Sequence, residues 1–430
     1  MEDFFNVRTV EEARAILTSA WSKSRTAGSP SPLLHEEAGL LSALGRVLAQ
    51  DVVSSEDIPS HRRSTVDGYA VLAKDTHGAT EALPAILRIT EDIVMGTMPK
   101  TPIVSGQASR IPTGGMLPKG ADACVMVEHT ELLERDTVLV VKAVSRGENV
   151  VQQGEDIAAG DVVVAAGKPL TPFDLGALAA LGYPAVPVVG RPKVAVISTG
   201  DEIVPPGEKP MAGQVRDINS YSLAGALQAF GAEPALLGVA KDTYEALRDL
   251  VQEGLSSCEA VVVSGGSSVG ARDVAVKVLD DLGPPGVLVH GVALKPGKPV
   301  ILALCKGKPV FGLPGHPVSA LVGLDLFTRY MLNVMIASSV ARADVLPRLS
   351  ESQETHVLAR LGRNVSSAAG REDHIRVRLV ETGGSLVAQP VLGKSGLLST
   401  MVRSDGEIVV PLDSEGLIEG SIVKVRLPRF

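Results

Sequence analysis

The sequence predicts a multidomain fold of α/β and β type: a β-rich region, then a parallel-sheet α/β domain, then a small antiparallel β-barrel. The chain has 430 residues, which is too long for one hydrophobic core. From Arg191 onwards, continuous apolar runs alternate with helical patterns, which indicates a parallel sheet covered on both faces. After about Ala343 the pattern becomes a strict alternation of apolar and polar residues, which is typical of antiparallel strands.

The N-terminal part is predicted to begin with an amphipathic helix. Thr9 and Glu12 have the spacing of a capping box, and the helical pattern continues to about Ser24. The opening MEDFFNVRTVEEA starts with acids and is not typical of a secretory signal. Between about Val52 and Val144, short apolar runs are broken by proline and glycine, which predicts a β-domain.

The later elements follow from their patterns in turn. KVAVIST, PALLGVA and EAVVVSG predict strands that are each followed by a helix. VLVHGVAL, PVILALC and PVFGL predict further strands, and HPVSALVGLDLFTRYMLNVM predicts a long closing helix. HIRVRLVETGGSLVAQPV predicts a hairpin with Gly383 and Gly384 at its tip, and EIVVPLDSEGLIEGSIVKVRL predicts a second such pair.

Composition excludes several classes of protein. A net charge of −8 argues against a general nucleic-acid binder, so a local cluster of cations must hold any anionic ligand. No segment reaches the ~18 uninterrupted apolar residues of a membrane span. Cys124, Cys258 and Cys305 each lie in or beside an apolar run, which predicts reduced core thiols of a cytoplasmic protein.

Unusual loops follow the predicted strands of the α/β domain. In an open parallel sheet, ligands collect at the carboxyl ends of the strands. The loops are STGDE, a loop beginning at Asp242, SGGSSVGARD, KPGKP and LPGHPVS. Glycines such as Gly265 and Gly266 allow backbone N–H groups to approach phosphate oxygens. The sequence therefore predicts a phosphate-binding edge.

Charged residues in the same loops suit that ligand. Lys295 and Lys298 supply positive charge, and Asp242 and Asp273 supply hard oxygen atoms that suit Mg²⁺. Each feature also has a structural alternative, and the functional interpretation rests on their convergence at one sheet edge. The alternatives are a helix cap by Asp242 with Glu245, an ion pair of Asp273 with Arg272, a tight turn at Gly265–Gly266, a charged hairpin tip at the lysines, and a helix start at His316.

Seven motifs occur in a fixed order along the chain: VDGYAV, IPTGG.LP.GAD, GE.V...GEDI, ISTGDE, VVSGGSSVG..D, VALKPGKP and GLPGHPVSA. By themselves, the loops around Asp67 and Thr113 are typical of structural turns. As an ordered set covering essentially the whole chain, the motifs resemble the molybdopterin molybdenumtransferases. These are bacterial and plant proteins related to the C-terminal half of gephyrin.

The resemblance implies four domains. They are an extended helical linker domain (1–52 plus 150–188), a β-rich domain inserted into it (53–149), an α/β molybdopterin-binding domain (189–340) and a C-terminal β-barrel (341–430). It also implies an elongated homodimer, in which the second domain of one subunit leans over the α/β domain of the other.

The resemblance implies a reaction as well. Adenylylated molybdopterin and molybdate or tungstate bind with Mg²⁺, the pyrophosphate-type bond is cleaved, AMP leaves, and the dithiolene receives the metal. Expected partners are a molybdopterin adenylyltransferase and acceptor molybdoenzymes or their chaperones, with neither nucleic acid nor membrane. A scaffold of gephyrin type and a related molybdopterin nucleotidyltransferase remain alternatives.

The resemblance assigns roles to particular residues. Functionally important positions are Asp67, Thr113, Asp156, Glu202 and Asp273, and a Mg²⁺ or substrate role falls to Asp242 and Asp273. The cofactor and its oxyanion are expected at Gly265, Gly266, Ser267, Lys295, Lys298, Ser319, Arg376 and Ser395. Lys295, Lys298, Arg376 and Ser395 are predicted to receive molybdate, because a tetrahedral oxyanion requires fixed cations and hydroxyl donors.

The chain departs from the family pattern at one cation. Some relatives have a lysine four residues before Lys295, where this chain has Gly291. The segment SHRRST before VDGYAV is unusually basic, so we hypothesise that Arg62 and Arg63 supply the missing charge.

Overall fold

A computed structural model of the chain describes residues 7–25, 33–265, 269–340, 342, 344–352, 355–393 and 396–427. The chain divides into two compact units, which are described separately. Unit 1 consists of Met1–Gln50, Ala166–Thr171 and Ala185–Phe430. Unit 2 consists of Asp51–Ala165 and Pro172–Pro184.

The first elements of the chain are α1 (Val10–Ser24), β1 (His35–Gly39) and α2 (Leu40–Ala43). The predicted capping box is confirmed at the start of α1. The Thr9 N–H donates to the Glu12 carboxylate at 2.9 Å, and the Glu12 N–H donates to the Thr9 hydroxyl at 3.2 Å. Leu17 and Trp21 are among the buried residues of α1, so this helix packs into the core of unit 1.

Unit 2 is built on a six-stranded sheet in the order β7-β4-β6-β5-β9-β8, which confirms the predicted β-rich character of this region. All neighbouring strands are antiparallel except β5 and β6. Its elements are β2 (Val52–Val53), β3 (Arg63–Ser64), β4 (Gly68–Val71), β5 (Ala85–Asp92), β6 (Gln107–Ile111), β7 (Ala123–Met126), β8 (Thr130–Glu134), β9 (Thr137–Val140), β10 (Val150–Val151), β11 (Val162–Val164) and α3 (Pro172–Ala180).

The α/β part of unit 1 contains the predicted alternation of strands and helices. Its elements are β12 (Ala185–Val189), β13 (Lys193–Thr199), β14 (Ile203–Val204), β15 (Val215–Arg216), α4 (Asn219–Ala229), β16 (Glu233–Ala240), α5 (Tyr244–Ser257), β17 (Ala260–Gly265), α6 (Val269–Asp281), β18 (Gly286–His290), β19 (Leu294–Lys295), β20 (Ile301–Cys305), β21 (Lys308–Leu313), α7 (Pro317–Gly323), a π-helical segment (Leu324–Arg329), α8 (Tyr330–Val340) and α9 (Val345–Ser352).

The main sheet of this part has the order β16-β13-β17-β21-β20-β18. The strands β16, β13, β17 and β21 are parallel, as predicted. β20 is antiparallel to both of its neighbours, so the prediction of an entirely parallel sheet is wrong for this strand. The reason is the two-residue turn Lys306–Gly307, in which both residues have positive φ and which joins β20 to β21 as a hairpin.

The C-terminal part of unit 1 forms the predicted barrel. Its elements are β22 (Thr355–Leu361), β23 (Val365–Ser366), β24 (Glu372–Thr382), β25 (Ser385–Pro390), α10 (Leu398–Val402), β26 (Gly406–Val410), β27 (Gly416–Leu417) and β28 (Ile422–Leu427). The order β24-β25-β22-β28-β26 closes because β26 pairs with β24. The hairpin at Gly383–Gly384 is confirmed, whereas β26 and β28 meet at a single residue pair with β27 between them in the chain.

The continuous helical run Pro317–Val340 is long and apolar enough to cross a membrane by length and composition. In its most apolar window 78% is buried inside the protein, which is also the property of a core helix. The cysteines Cys124, Cys258 and Cys305 are free and buried, as predicted. Burial raises the pKa of Cys124 and of Cys305 to about 11, so both are neutral thiols near pH 7.

Candidate active site

A small cavity of about 30 Å³ lies at the carboxyl ends of the parallel strands in unit 1. Thr199 ends β13, Asp242 follows β16 and Gly265 ends β17, and all three line the cavity. Pro299, from the KPGKP loop, and Pro314, from LPGHPVS, line it as well. The motifs predicted to meet at one sheet edge are therefore brought together there.

The carboxylate of Asp242 faces other acids at this edge. Partial burial raises the pKa of Asp242, the nearby carboxylates of Asp201 and Glu202 raise it further, and a hydrogen bond with Thr199 opposes the shift. The helix cap proposed for Asp242 is wrong, because Thr243 is the N-cap of α5 and its hydroxyl accepts from the Ala246 N–H at 3.4 Å. The Asp242 carboxylate is thus not used to cap this helix.

Two further predicted acids lie near the cavity. Glu202 is exposed and folds back over the end of β13, since a Cβ at Gly200 would lie 2.6 Å from its carboxylate. Asp273 is exposed on α6, next to Val274, which lines the cavity. Within the described residues, no group of three or more His, Cys, Asp or Glu side chains is arranged to hold a metal ion.

Gly265 has a packing reason to be glycine. Its φ is +129°, and a Cβ at this position would lie 2.2 Å from the carbonyl oxygen of Thr199. Close strand packing therefore accounts for this glycine, and both the tight turn and the phosphate-binding role stay predictions. Gly266 and Ser267 lie outside the described residues, as does the side chain of Arg272.

A larger cleft of about 1130 Å³ lies between the KPGKP loop and the barrel, within unit 1. Four predicted site residues line it, together with one cation that was not predicted: Lys295, Lys298, Ser319, Arg376 and Arg371. Ser395 lies outside the described residues. Pro299 and Pro314 line both the cleft and the sheet-edge cavity, so the two are adjacent.

The KPGKP loop is fixed by the barrel. β19 pairs in parallel with the start of β24, with Lys295 opposite Asp373. The Lys295 Nζ donates to the Asp373 carboxylate at 2.7 Å, and the Ser367 hydroxyl donates to the same carboxylate at 3.1 Å. The loop belongs to the connection between β18 and β20. Its pairing with β24 excludes the alternative in which the lysines form a solvated hairpin tip.

A buried ionic network supports the cleft from inside the barrel. The His374 imidazole lies 2.7 Å from the Glu372 carboxylate and 3.2 Å from that of Glu407. Burial alone would lower the pKa of His374, but hydrogen bonds to the two carboxylates raise it to about 9. Arg426 pairs with Glu407 and also with Asp325 of the π-helical segment, at 2.6 Å in the second case.

Sequence reasoning missed Asp373, His374 and Arg371. The strand EDHIRVR alternates, and in an alternating strand only every second side chain is expected to be buried. Asp373 and His374 are consecutive and both buried, because β24 is covered on both faces near its start. The density of charges in GREDHIR was the signal that could have indicated a functional segment.

Several predicted residues belong to unit 2. The Asp67 carboxylate accepts the Thr113 N–H at 2.7 Å, so VDGYAV and IPTGG are brought together, and both residues are exposed. Asp156 is exposed in another loop, where its N–H donates to the Ile58 carbonyl at 3.1 Å. Arg62 donates to the Ala121 carbonyl at 3.1 Å within the same unit.

Three family descriptions match successive parts of this chain. The MoeA N-terminal region (domain I and II) matches residues 8–182, and the probable molybdopterin binding domain matches residues 195–333. The MoeA C-terminal region (domain IV) matches residues 358–427. The three matches lie along the chain in the same order as the seven sequence motifs.

Individual proteins are similar over nearly the whole chain. Identity to the molybdopterin molybdenumtransferase of Nostoc sp. is 32% over 395 residues, covering 91% of this chain and 88% of that protein. Identity to the molybdopterin molybdenumtransferase 2 of Mycobacterium tuberculosis is 33% over 390 residues, covering 90% and 93%. The solved molybdopterin biosynthesis MoeA protein from Pyrococcus horikosii has a TM-score of 0.80 and 36% identity, covering 98% of this chain and 99% of that chain.

These matches confirm the resemblance that the ordered motifs indicated. The fold, with its mixed sheet and its closed barrel, agrees with that of the solved MoeA protein. The chain therefore belongs to the MoeA family, whose curated members include the molybdopterin molybdenumtransferases.

Proposed function

We propose that this chain is a molybdopterin molybdenumtransferase of molybdenum-cofactor biosynthesis, which inserts molybdate or tungstate into adenylylated molybdopterin and releases AMP. Relatives with this activity in their names support it at 32% and 33% identity. The observation that carries the proposal is the adjacency of the sheet-edge cavity and the cationic cleft, which share Pro299 and Pro314. A pterin phosphate bound over the sheet edge and an oxyanion held in the cleft would be neighbours.

The sheet edge suits the phosphates of the adenylylated substrate. Cleavage of such a bond needs neutralisation of charge more than a strong nucleophile. Mg²⁺ in such sites is held by one or two carboxylates together with substrate phosphates. The Asp242 carboxylate, crowded by Asp201 and Glu202, fits that arrangement, since a cation would relieve the repulsion that raises its pKa. When bound, Mg²⁺ would supply positive charge there.

The cleft suits a tetrahedral oxyanion. Lys295, Lys298 and Arg376 offer cationic donors, and Ser319 offers a hydroxyl. Lys295 is held by Asp373, so this ammonium group is oriented before any ligand arrives. The predicted oxyanion role of Ser395 is part of the same proposal.

We propose roles for the remaining predicted residues as well. Asp67, whose carboxylate is fixed by the Thr113 N–H, would orient or deprotonate a reacting water, and Asp156 and Asp273 would assist with the substrate or metal. A homodimer, an adenylyltransferase upstream and acceptor enzymes downstream follow from the family resemblance. Buried free thiols favour the cytoplasm. The scaffold and nucleotidyltransferase alternatives are not favoured, because the named relatives are transferases that match along the whole chain.

Incubation of the purified chain with adenylylated molybdopterin, Mg²⁺ and either oxyanion tests the proposal. We expect AMP release that depends on the oxyanion. We also expect a loss of about a hundredfold in kcat/KM for the double variant Lys295→Ala and Lys298→Ala. Lys424→Ala, an exposed lysine on β28, is the matched control and should behave as wild type. Absence of AMP with both oxyanions would refute the proposal.

A further inference from the structure

The start of α4 joins the ends of three neighbouring strands in unit 1. β13, β17 and β21 are adjacent in the main sheet, and residues at the end of each line the sheet-edge cavity. Asp217, two residues before α4, accepts a hydrogen bond from the Ser198 hydroxyl of β13 at 3.1 Å. Asn219, the first residue of α4, contacts the ends of the other two strands. This edge is therefore held by one turn of helix.

Asn219 makes its contacts through the side-chain amide. The residue is 8% exposed, and its Nδ2 donates to the Ser264 hydroxyl at 2.7 Å and to the Gly315 carbonyl at 2.8 Å. Because a carbonyl oxygen can only accept, the bond to Gly315 fixes which end of the amide carries the N–H donors. The Oδ1 atom is buried and has no hydrogen-bond partner among the described residues. Asn219 therefore acts at this edge through its two donated bonds.

The bond to Gly315 holds a segment that both ligand sites share. Gly315 follows Pro314, which lines the sheet-edge cavity as well as the cleft. Ser264, the other partner of Asn219, also donates to the Pro314 carbonyl, at 3.4 Å. The lysines of the cleft belong to the KPGKP loop, which β24 holds. Loss of the Asn219 bonds would therefore move this shared segment relative to the lysines.

We propose that Asn219 is a positioning residue that sets the distance between the substrate phosphates at the sheet edge and the oxyanion in the cleft. It acts through Gly315 and Ser264 and is not itself a ligand. Reacting groups must be held about 3–3.5 Å apart, and a displacement of about 1 Å can cost a hundredfold in rate. The inference rests on the proposed function for the identity of the two ligands.

Asn219→Ala in the full-length chain removes both donated bonds. We expect kcat for AMP release to fall about tenfold, because the two reactants are no longer held at the productive distance. The KM values for molybdate and for adenylylated molybdopterin should stay within about twofold of wild type, because the residues that bind each ligand are unchanged. This separation of kcat from KM distinguishes positioning from binding.

Asn333 provides a matched control. It is a buried asparagine on α8 of the same unit, 5% exposed, and lines neither the cavity nor the cleft. Asn333→Ala should lower the Tm as Asn219→Ala does, but its kcat should stay within about twofold of wild type. An equal loss of kcat in the two variants would show that Asn219 has only a structural role. If Asn219→Ala has no cooperative melting transition, Asn219→Asp against Asn333→Asp carries the comparison.

A binding measurement tests the same inference without turnover. AMP and molybdate are both anions, so they repel each other when they occupy neighbouring sites. Saturating AMP should raise the Kd of the wild-type chain for molybdate about fivefold, measured by titration calorimetry. In Asn219→Ala this factor should fall below about twofold, because the shared segment no longer fixes the distance between the sites. The same factor in both proteins would overturn the inference.

The outcomes separate this inference from the proposed function. Wild-type protein that releases AMP, with an unchanged kcat for Asn219→Ala, overturns the role of Asn219 alone. Wild-type protein that releases no AMP overturns the proposed function, and the effect of AMP on molybdate binding then still decides the role of Asn219. Wild-type protein whose Kd for molybdate does not respond to AMP overturns the inference, because the two sites would not be neighbours.

Discussion

Asp373 is the single residue on which the position of the Lys295 ammonium group depends. Only 2% of it is exposed, and its carboxylate accepts hydrogen bonds from Lys295 at 2.7 Å and from Ser367 at 3.1 Å. A long lysine side chain loses rotamer freedom when it is held this way, and that loss is complete before the anion binds. The anion therefore binds more strongly than it would to a lysine side chain that is free to rotate.

We predict that Asp373→Asn weakens use of the oxyanion. The amide keeps the shape and can still accept from Ser367, but it loses the charge that holds Lys295. The KM for molybdate in AMP release should rise roughly fivefold, a loss of about 1 kcal/mol. Asp413→Asn, an exposed barrel carboxylate, is the control and should have the wild-type KM. An unchanged KM for Asp373→Asn would contradict the orienting role.

At this scale the sequence predicted the residue types of the cleft but not how they are paired. Lys295, Lys298, Ser319 and Arg376 were assigned by motif, and the structure brings them to one cleft. Asp373 was missed because an alternating strand is expected to bury every second residue. Burial of the consecutive residues Asp373 and His374 comes with tertiary contacts, from Lys295 to Asp373 and from His374 to Glu407, which no local pattern reveals.

At the scale of elements, the end of β17 is held close to the end of β13. The two strands pair from Val194 opposite Ala260 to Thr199 opposite Gly265. The close approach at Gly265 leaves no room for a methyl group beside the Thr199 carbonyl. The close packing of the two strand ends therefore depends on a residue without a side chain at position 265.

We predict that Gly265→Ala destabilises unit 1 strongly. A Cβ would lie 2.2 Å from a backbone oxygen, at a φ of +129° that alanine rarely adopts. The free energy of unfolding in urea should fall by roughly 3 kcal/mol. Gly225→Ala in α4 is the matched control, since nothing lies within 4 Å of its added Cβ, and it should be neutral or stabilising by about 0.5–1 kcal/mol. Equal stabilities for the two variants would rule out the packing argument.

Strand and helix types were largely predictable, because long apolar runs and helical periodicities are local signals. The reversed direction of β20 was not, because the Lys306–Gly307 turn that causes it lacks the Asn-Gly or Asp-Gly signature of such hairpins. The register of β19 on β24 joins residues that are far apart in sequence, and only tertiary packing determines it.

At the scale of the whole molecule, unit 1 joins its α/β part to its barrel through an ionic contact. Arg426 of β28 pairs with Asp325 of the π-helical segment at 2.6 Å, and it also pairs with Glu407 of β26. The same network contains the His374 imidazole between two carboxylates. The stability of unit 1 should therefore depend on the protonation of His374.

We predict a pH dependence of stability that His374→Gln removes. The folded state raises the pKa of His374 from 6.5 to about 9, so its contribution is complete below about pH 6.5 and is lost as the pH rises through about 9. Between these pH values the Tm of the wild type should fall by about 3 °C more than that of His374→Gln. His77→Gln, an exposed histidine of unit 2, should follow the wild type. Parallel curves for wild type and His374→Gln would be evidence against a charged His374.

The pairing of β19 with β24 has one further consequence. The strand that carries Arg376, and that Arg371 directly precedes, also holds the lysine loop through backbone bonds and through the Lys295–Asp373 contact. If the barrel rocks on the sheet, Lys295 travels with both guanidinium groups instead of separating from them. The pairing therefore keeps the distances between Lys295 and the two arginines constant, and an oxyanion meets the same arrangement of charges whatever the orientation of the barrel.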